Sequence, residues 1–316
     1  MSVRRIGFLI IVLIIGFSSC NEDDGFGGPT PINIAEKYVS DSTAISDYLK
    51  THYYNSSRFD GGSGDANDII IGELGAEGDA IPTGNALLMN NVEMKSYVLG
   101  DITYHYYILN IRQGSGAESP KFCDNVLIGY EGYRISDDVV FDARLNPNLA
   151  NLDLTTTIRG WQLAVPEFNT ASELVDNGDG TFIVEGSGLG MMFLPSGLAY
   201  LFNANNTLQL QNLAFKFQLV KSFENDHDED GVPSWKEDID EDNQFTIDPS
   251  EPDKEGDDDT DNNGTVDYLD ADDDGDGVLT IDEDMDCDGD PTNDMSPINP
   301  TIPRYLDPEV LDTKNC

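Results

Sequence analysis

The chain has 316 residues, 39% hydrophobic and 9% aromatic, with 17 Lys and Arg against 60 Asp and Glu and a formal net charge of −43. Acid excess on this scale excludes nucleic-acid binding by phosphate neutralisation and docking on anionic lipid through a basic patch. The apolar content suits one or two packed cores rather than a polytopic membrane protein, and four cysteines are too few for a disulfide scaffold.

The first element is an address. Arg4 and Arg5 precede an apolar run from Ile6 to Phe17, of secretory length and too short to span a bilayer comfortably. Ser18 and Ser19 lead into Cys20 where the run stops, and this junction resembles a bacterial lipoprotein cleavage site. The resemblance implies removal of residues 1–19 and lipidation of Cys20, with about 0.8 kcal/mol of anchoring per buried CH₂. Asn21 to Asp24 resemble the acidic export tag of surface lipoproteins in Bacteroidetes-like bacteria; a soluble tether is the alternative. Residues 20–32 then form a lipid-anchored linker. The expected location is the outer membrane, facing periplasm or cell surface, with the membrane contacted through lipid alone.

Residues 33–100 read as a helical and irregular extension. Ile34, Tyr38, Ile45, Tyr48 and Leu49 recur partly at helical spacing, which predicts a short helix over about 33–52. From Asp101 the pattern changes to β-branched and aromatic residues, hence a strand over 101–111. Gly114 and Gly116 break it. Val126 to Tyr133 is a second strand, Asp137-Asp138 a turn, and Val139 to Phe141 a continuation. Cys123 reads as a small buried residue. Trp161 to Phe168 offers a helix that Pro166 keeps short, and Asn177-Gly178 signals a hairpin. Leu213 to Val220 alternates like a half-buried antiparallel strand.

Five pieces of residues 101–223 occur in a telling order: Gly129-Tyr130-Glu131-Gly132, Phe141-Asp142-Ala143-Arg144, Thr157-Ile158-Arg159-Gly160-Trp161, Leu194-Pro195-Ser196 through Ala199-Tyr200, and Leu213-Ala214-Phe215. Together they resemble the strands and pocket of an FKBP-type peptidyl-prolyl isomerase. That resemblance implies an α+β fold, an antiparallel sheet wrapped around a short helix, and a site that needs no cofactor for catalysis. Trp161 would form the floor, with Tyr130, Phe141 and Phe215 as walls. The Ile158 N–H and the Tyr200 hydroxyl would donate to substrate carbonyls, and Asp142 would pair with Tyr130. Twisting a prolyl amide faces a barrier of about 18–20 kcal/mol, and an apolar pocket favours the twisted, less polar amide. The sequence departs from the family at Thr157, at Leu201 after Tyr200, in the stretch 169–193, and where Leu152 or Leu154 replaces an aromatic wall.

Residues 224–294 hold 31 acids and two bases, Lys236 and Lys254. The acids follow a rhythm. Asp226, Asp228, Asp230, Gly231 and Glu237 fit a twelve-residue D-x-D-x-D-G-x₅-E loop, as do Asp272, Asp274, Asp276, Gly277 and Glu283. Asp259, Asp261, Asn263, Gly264, Asp267 and Asp270 form a close variant, and weaker copies start at Asp238 and Asp284. Alternate acids set oxygens around a hard cation and the glycine permits a sharp turn. The rhythm resembles thrombospondin type 3 repeats, which implies structural calcium over residues 224–295, with dissociation constants of about 10⁻⁴–10⁻³ M. Residues 296–316 are a separate C-terminal segment. Cys287 and Cys316 share this end of the chain and are expected to pair.

The expected function is that of a membrane-anchored prolyl isomerase or folding factor acting on proline-containing exported polypeptides. A catalytically inactive FKBP-like binding module with a calcium-binding stalk is the alternative. A surface protein whose repeats carry the function is a third reading.

Overall fold

A computed structural model describes residues 32–178, 182–247 and 257–314. The region before Ile32, including Cys20, lies outside the described residues, as does Cys316. No helix among the described residues is long and apolar enough to cross a membrane.

Helix α1 (Ile34–Thr51) buries Asp41, Ile45, Tyr48 and Leu49, which fall on one face at helical spacing. The chain then forms a small antiparallel sheet of β1 (His52–Tyr54), β2 (Ile71–Glu73) and β3 (Ala86–Leu87), with β1 central. The main sheet follows: β4 (Val92–Leu99), β5 (Ile102–Arg112), β6 (Asn125–Arg134), β7 (Val140–Arg144) and β8 (Ala150–Asp153). Short helix α2 (Arg159–Ala164) comes next. A separate hairpin of β9 (Glu173–Asp176) and β10 (Phe182–Glu185) precedes β11 (Gly188–Leu194) and β12 (Leu213–Phe223). The strand order is β4-β5-β11-β12-β6-β7, with β8 on the remaining length of β6 and every pairing antiparallel. The sheet therefore begins at Val92, ahead of the strand that composition marks from Asp101.

Both faces of this sheet are covered. Period-two alternation sends Met192, Leu194, Phe215, Phe217 and Leu219 to one face, where they pack with Trp161 and Ala164 of α2. Met191, Phe193 and Ala214 go to the other, against Ile45, Tyr48 and Leu49 of α1. An antiparallel sheet built around one short helix is the architecture expected from sequence. The half-buried reading of Leu213 to Val220 needs correction, because all seven other residues of that stretch are buried and only Lys216 is partly exposed. Lys216 stays inside by pairing with Glu131 at 2.7 Å and donating to the Ile69 carbonyl at 3.2 Å. Gln218, 4% exposed, donates to the Ser187 hydroxyl. The alternate residues Leu213, Phe215, Phe217 and Leu219 pack with α2, and alternation could not reveal α1 on the opposite face.

Beyond Phe223 the described chain has short 3₁₀ turns between acidic loops and an isolated antiparallel bridge between Met295 and Pro303. It folds back on the domain through rings. Phe245 stacks on Tyr268 at 3.9 Å and meets Phe122 at 5.0 Å. His227 lies 3.3 Å from the Asp153 carboxylate. The end of the chain returns to the fourth loop, where the Lys314 N–H donates to the Asp282 carbonyl at 2.7 Å.

Candidate active site and acidic loops

The cleft is assembled where β6, β7, α2 and the turn after β11 converge. Tyr130 and Gly132 lie on β6 opposite Arg144 and Asp142 of β7. A Cβ on Gly132 would sit 2.5 Å from Phe215 and 2.8 Å from Phe141, so glycine is what lets these two rings close the wall. Phe141 and Phe215 meet edge to face, centroids 5.6 Å apart at 90°. Trp161 packs against Tyr130 at 5.3 Å and Phe215 at 5.0 Å. Ile158 is the N-cap residue of α2, with extended backbone (φ −67°, ψ 151°), and its carbonyl accepts the Trp161 N–H at 2.9 Å. The Tyr130 hydroxyl donates to Asp142 Oδ2 at 2.6 Å. Burial and this carboxylate push the Tyr130 phenol well above its ordinary range. Burial, then the Asp142 charge, also raises Tyr200.

All seven residues expected from the sequence, Tyr130, Phe141, Asp142, Ile158, Trp161, Tyr200 and Phe215, line one open cleft of about 610 Å³, a size typical of ligand sites. Leu152 also lines it, whereas Leu154 is fully buried in the core. Lining residues with no role expected from the sequence include Thr156, Arg159, Phe202 and Asn203. Phe202, 60% exposed, stands two residues after Tyr200. Arg159 reaches away from the domain, donating to the Asn243 carbonyl at 2.8 Å and to Gln244 Oε1 at 3.2 Å. The cleft rim is thus held by the acidic segment.

The acidic loops share a backbone signature that spacing alone did not disclose. In each of the five loops the first Asp accepts the N–H of the residue five further on: Gly231, Asn243, Gly264, Gly277 and Gly289. Those five residues all have left-handed φ, from 62° to 98°, and so do Glu229, Glu241, Asn262, Gly275 and Cys287 three positions after each start. Asp226 accepts from Glu229 as well, and it does not join the set formed by Asp228, Asp230 and Glu237.

The expected ligands are gathered in part. Asp272, Asp274 and Asp276 bring carboxylate oxygens within 4.8 Å of one another, as do Asp228, Asp230 and Glu237, joined by the unanticipated Asp273. Asp238, Asp240 and Asp258 form a further set, and Asp284, Asp286 and Asp294 another. The third loop is different. Asp259 caps the Asn263 and Gly264 amides, and Asp267 accepts from the N–H and hydroxyl of Thr260 at 2.8 and 2.7 Å. Asn263 donates to Asp261 and Asp270, so Asp259, Asp261, Asn263, Asp267 and Asp270 do not converge as one set among the described residues. Glu283 is 1% exposed but stands outside the Asp272 set.

The donors suit a hard cation. They are all carboxylates, and both oxygens of Asp228, Glu237 and Asp273 are buried without a hydrogen-bond partner, as are single oxygens of Asp272, Asp274, Asp276 and Glu283. Uncompensated buried carboxylates cost several kcal/mol each. Burial and neighbouring acids push Asp228 up to about 8, Glu237 to about 10, Asp273 to about 11 and Glu283 to about 8. Calcium accepts six to eight oxygen ligands at about 2.3–2.6 Å, and these residues fit it. Cys123 is a free, fully buried thiol, and Cys287 is disulfide-bonded.

Residues 227–310 match the family model described as BamM C-terminal. The matching model is not a thrombospondin type 3 repeat. No curated protein matches the chain. Among solved structures, the chain is similar to a peptidyl-prolyl cis-trans isomerase from Pseudomonas syringae pv. tomato, with 15% identity and TM-score 0.33 over 61% of this chain and 98% of that one. It is similar to FkpA from Escherichia coli, with 20% identity and TM-score 0.29 over 37% of this chain and 47% of that one. A multi-domain immunophilin from Arabidopsis thaliana gives 13% identity and TM-score 0.30 over 42% and 47%. The chain thus spans about half the length of the last two.

Proposed function

We propose that this protein is a peptidyl-prolyl cis-trans isomerase acting on exported proteins, tethered by lipid on Cys20 and carrying a calcium-binding acidic tail. The observation that carries the reading is the aromatic cleft closed by the 2.6 Å Tyr130–Asp142 hydrogen bond. A proline ring enters over Trp161, between Tyr130, Phe141 and Phe215. The Ile158 N–H and the Tyr200 hydroxyl hold substrate carbonyls. The twisted amide has lost resonance and carries less charge separation than the planar one, so an apolar floor favours it. A differential of about 3–5 kcal/mol gives roughly 10²–10⁴-fold acceleration. No covalent step and no proton transfer is required.

Calcium in the loops supplies positive charge to otherwise uncompensated carboxylates. Asp228, Asp230, Glu237, Asp272, Asp274 and Asp276 would hold it, and the Asp238 and Asp284 sets offer further oxygens. The test of the isomerase reading is acceleration of prolyl isomerisation in a short peptide by the full chain, in calcium and in chelator. Acceleration supports it. Binding of proline peptides without acceleration would assign the same cleft to an inactive recognition module. For the anchor, Cys20→Ser is expected to leave the membrane fraction, and retention after a high-salt wash would end that part.

A further inference from the structure

In a twelve-residue calcium loop the second position carries no ligand. Asp273 holds that position in the loop that starts at Asp272, and the spacing gives it no role. Yet it is 1% exposed, and neither of its carboxylate oxygens has a hydrogen-bond partner. One of them lies within 4.8 Å of oxygens from Asp228, Asp230 and Glu237 of the first loop. Glu237 is 0% exposed and also has both oxygens unpartnered. Two bases among the described residues of this region have partners elsewhere. Lys236 donates to Thr292 at 2.9 Å and faces Asp290 at 3.5 Å, while Arg304 pairs with Asp312 at 3.7 Å.

Four buried carboxylates converge here with no basic partner among the described residues, and a cation between them would offset their repulsion. Their mutual spread fits inside two calcium–oxygen bonds of about 2.4 Å each. We propose that Asp273 completes the first loop's site, so that a single divalent ion holds the first loop to the fourth. The ion then closes a long loop of chain containing the whole of the second and third repeats. This differs from a string of independent beads, in which each repeat holds its own ion with its own residues. The inference rests on the calcium reading of the tail.

The experiment counts calcium ions on the full chain by native mass spectrometry, for the unaltered protein, Asp273→Asn, Glu237→Gln and the double variant. Each single variant is expected to lose one ion, or to bind it at least tenfold more weakly, and the double variant to lose no more than either. An unchanged count in Asp273→Asn overturns the bridge and leaves the calcium reading standing, as does loss of two ions in the double variant. Binding of no calcium by the unaltered protein overturns both. A crystal structure of the unaltered chain grown with calcium provides a check that needs no variant to fold. An ion with an Asp273 oxygen at about 2.3–2.6 Å supports the bridge; an ion held by Asp228, Asp230 and Glu237 without Asp273 refutes it.

Discussion

Asp41, in the middle of α1, accepts two hydrogen bonds from Ser196, one from its N–H at 3.1 Å and one from its hydroxyl at 2.5 Å. The Ser196 carbonyl in turn accepts the N–H groups of Ala199 and Leu201, which bracket Tyr200. A helix near the start of the chain therefore fixes the turn that forms one wall of the cleft. Asp41 is 1% exposed and Ser196 fully buried, so neither can turn to water instead. Asp41→Ala removes a charged acceptor and strands two buried donors. It should lower unfolding free energy by about 2–3 kcal/mol, read from the urea midpoint, and an unshifted midpoint would contradict this role.

Tyr130 and Asp142 should act as one unit. Asp142→Ala and Tyr130→Phe are each expected to lower kcat/KM for a prolyl peptide at least tenfold, about 1.4 kcal/mol. The double variant should be little worse than either single one. The Asp142 side chain is 45% exposed, so its removal should barely move the thermal midpoint. Equal losses of activity and stability would mean the pair is merely structural.

The tail should respond to pH with opposite signs in chelator and in calcium. Glu237, at about 10, and Asp228 and Glu283, at about 8, have carboxyl groups raised by burial and by neighbouring acids. A raised folded pKa gives stability that is full below the unfolded value of about 4 and is lost as pH climbs toward the folded value. In chelator, protease cleavage within 224–295 should therefore quicken from pH 5 to pH 8. Calcium displaces the same protons, so its affinity should rise over that interval, and cleavage in millimolar calcium should slow. Matching pH profiles in the two buffers would rule out a shared set of carboxylates.

Arg159 links the cleft rim to the second acidic loop through Asn243 and Gln244. Charged hydrogen bonds of this kind contribute about 1.5–3 kcal/mol. Arg159→Ala should speed hydrogen exchange at the amides around Phe245 more than tenfold while leaving the β12 amides unchanged. Uniform acceleration across both regions would instead report a global loss of stability.

Much of the cleft was legible because its residues come in short, ordered motifs whose spacing is fixed by the sheet. Tyr130 and Asp142 meet because β6 and β7 are adjacent antiparallel strands, and a local pattern carries that information. The second covered face of the sheet was not legible. Alternation in Leu213 to Val220 records which residues are apolar, whereas the partners that allow Lys216 and Gln218 inside come from Glu131, Ile69 and Ser187 elsewhere in the chain. The acidic loops divide similarly. Spacing located each loop start, since the capping Asp and its left-handed partner are five residues apart. It missed Asp273 and Asp258, whose convergence with other loops is a matter of tertiary folding, and it did not show that in the third loop Thr260 and Asn263 hydrogen-bond to Asp267, Asp261 and Asp270.

The fourth residue of each acidic loop has a left-handed backbone, and in four of the five loops it is not glycine: Glu229, Glu241, Asn262 and Cys287. An L-residue in that region gives up about 1 kcal/mol or more, on top of the repulsion among its acidic neighbours. The segment is therefore poorly equipped to fold on local preference alone. On the calcium reading, its order is conditional on the medium that surrounds it. If the chain is also exported, as proposed, it would leave a compartment poor in free calcium with this region still pliable enough to be threaded, and would set only on the far side. The ionic composition of the destination would then act as the signal that translocation is finished.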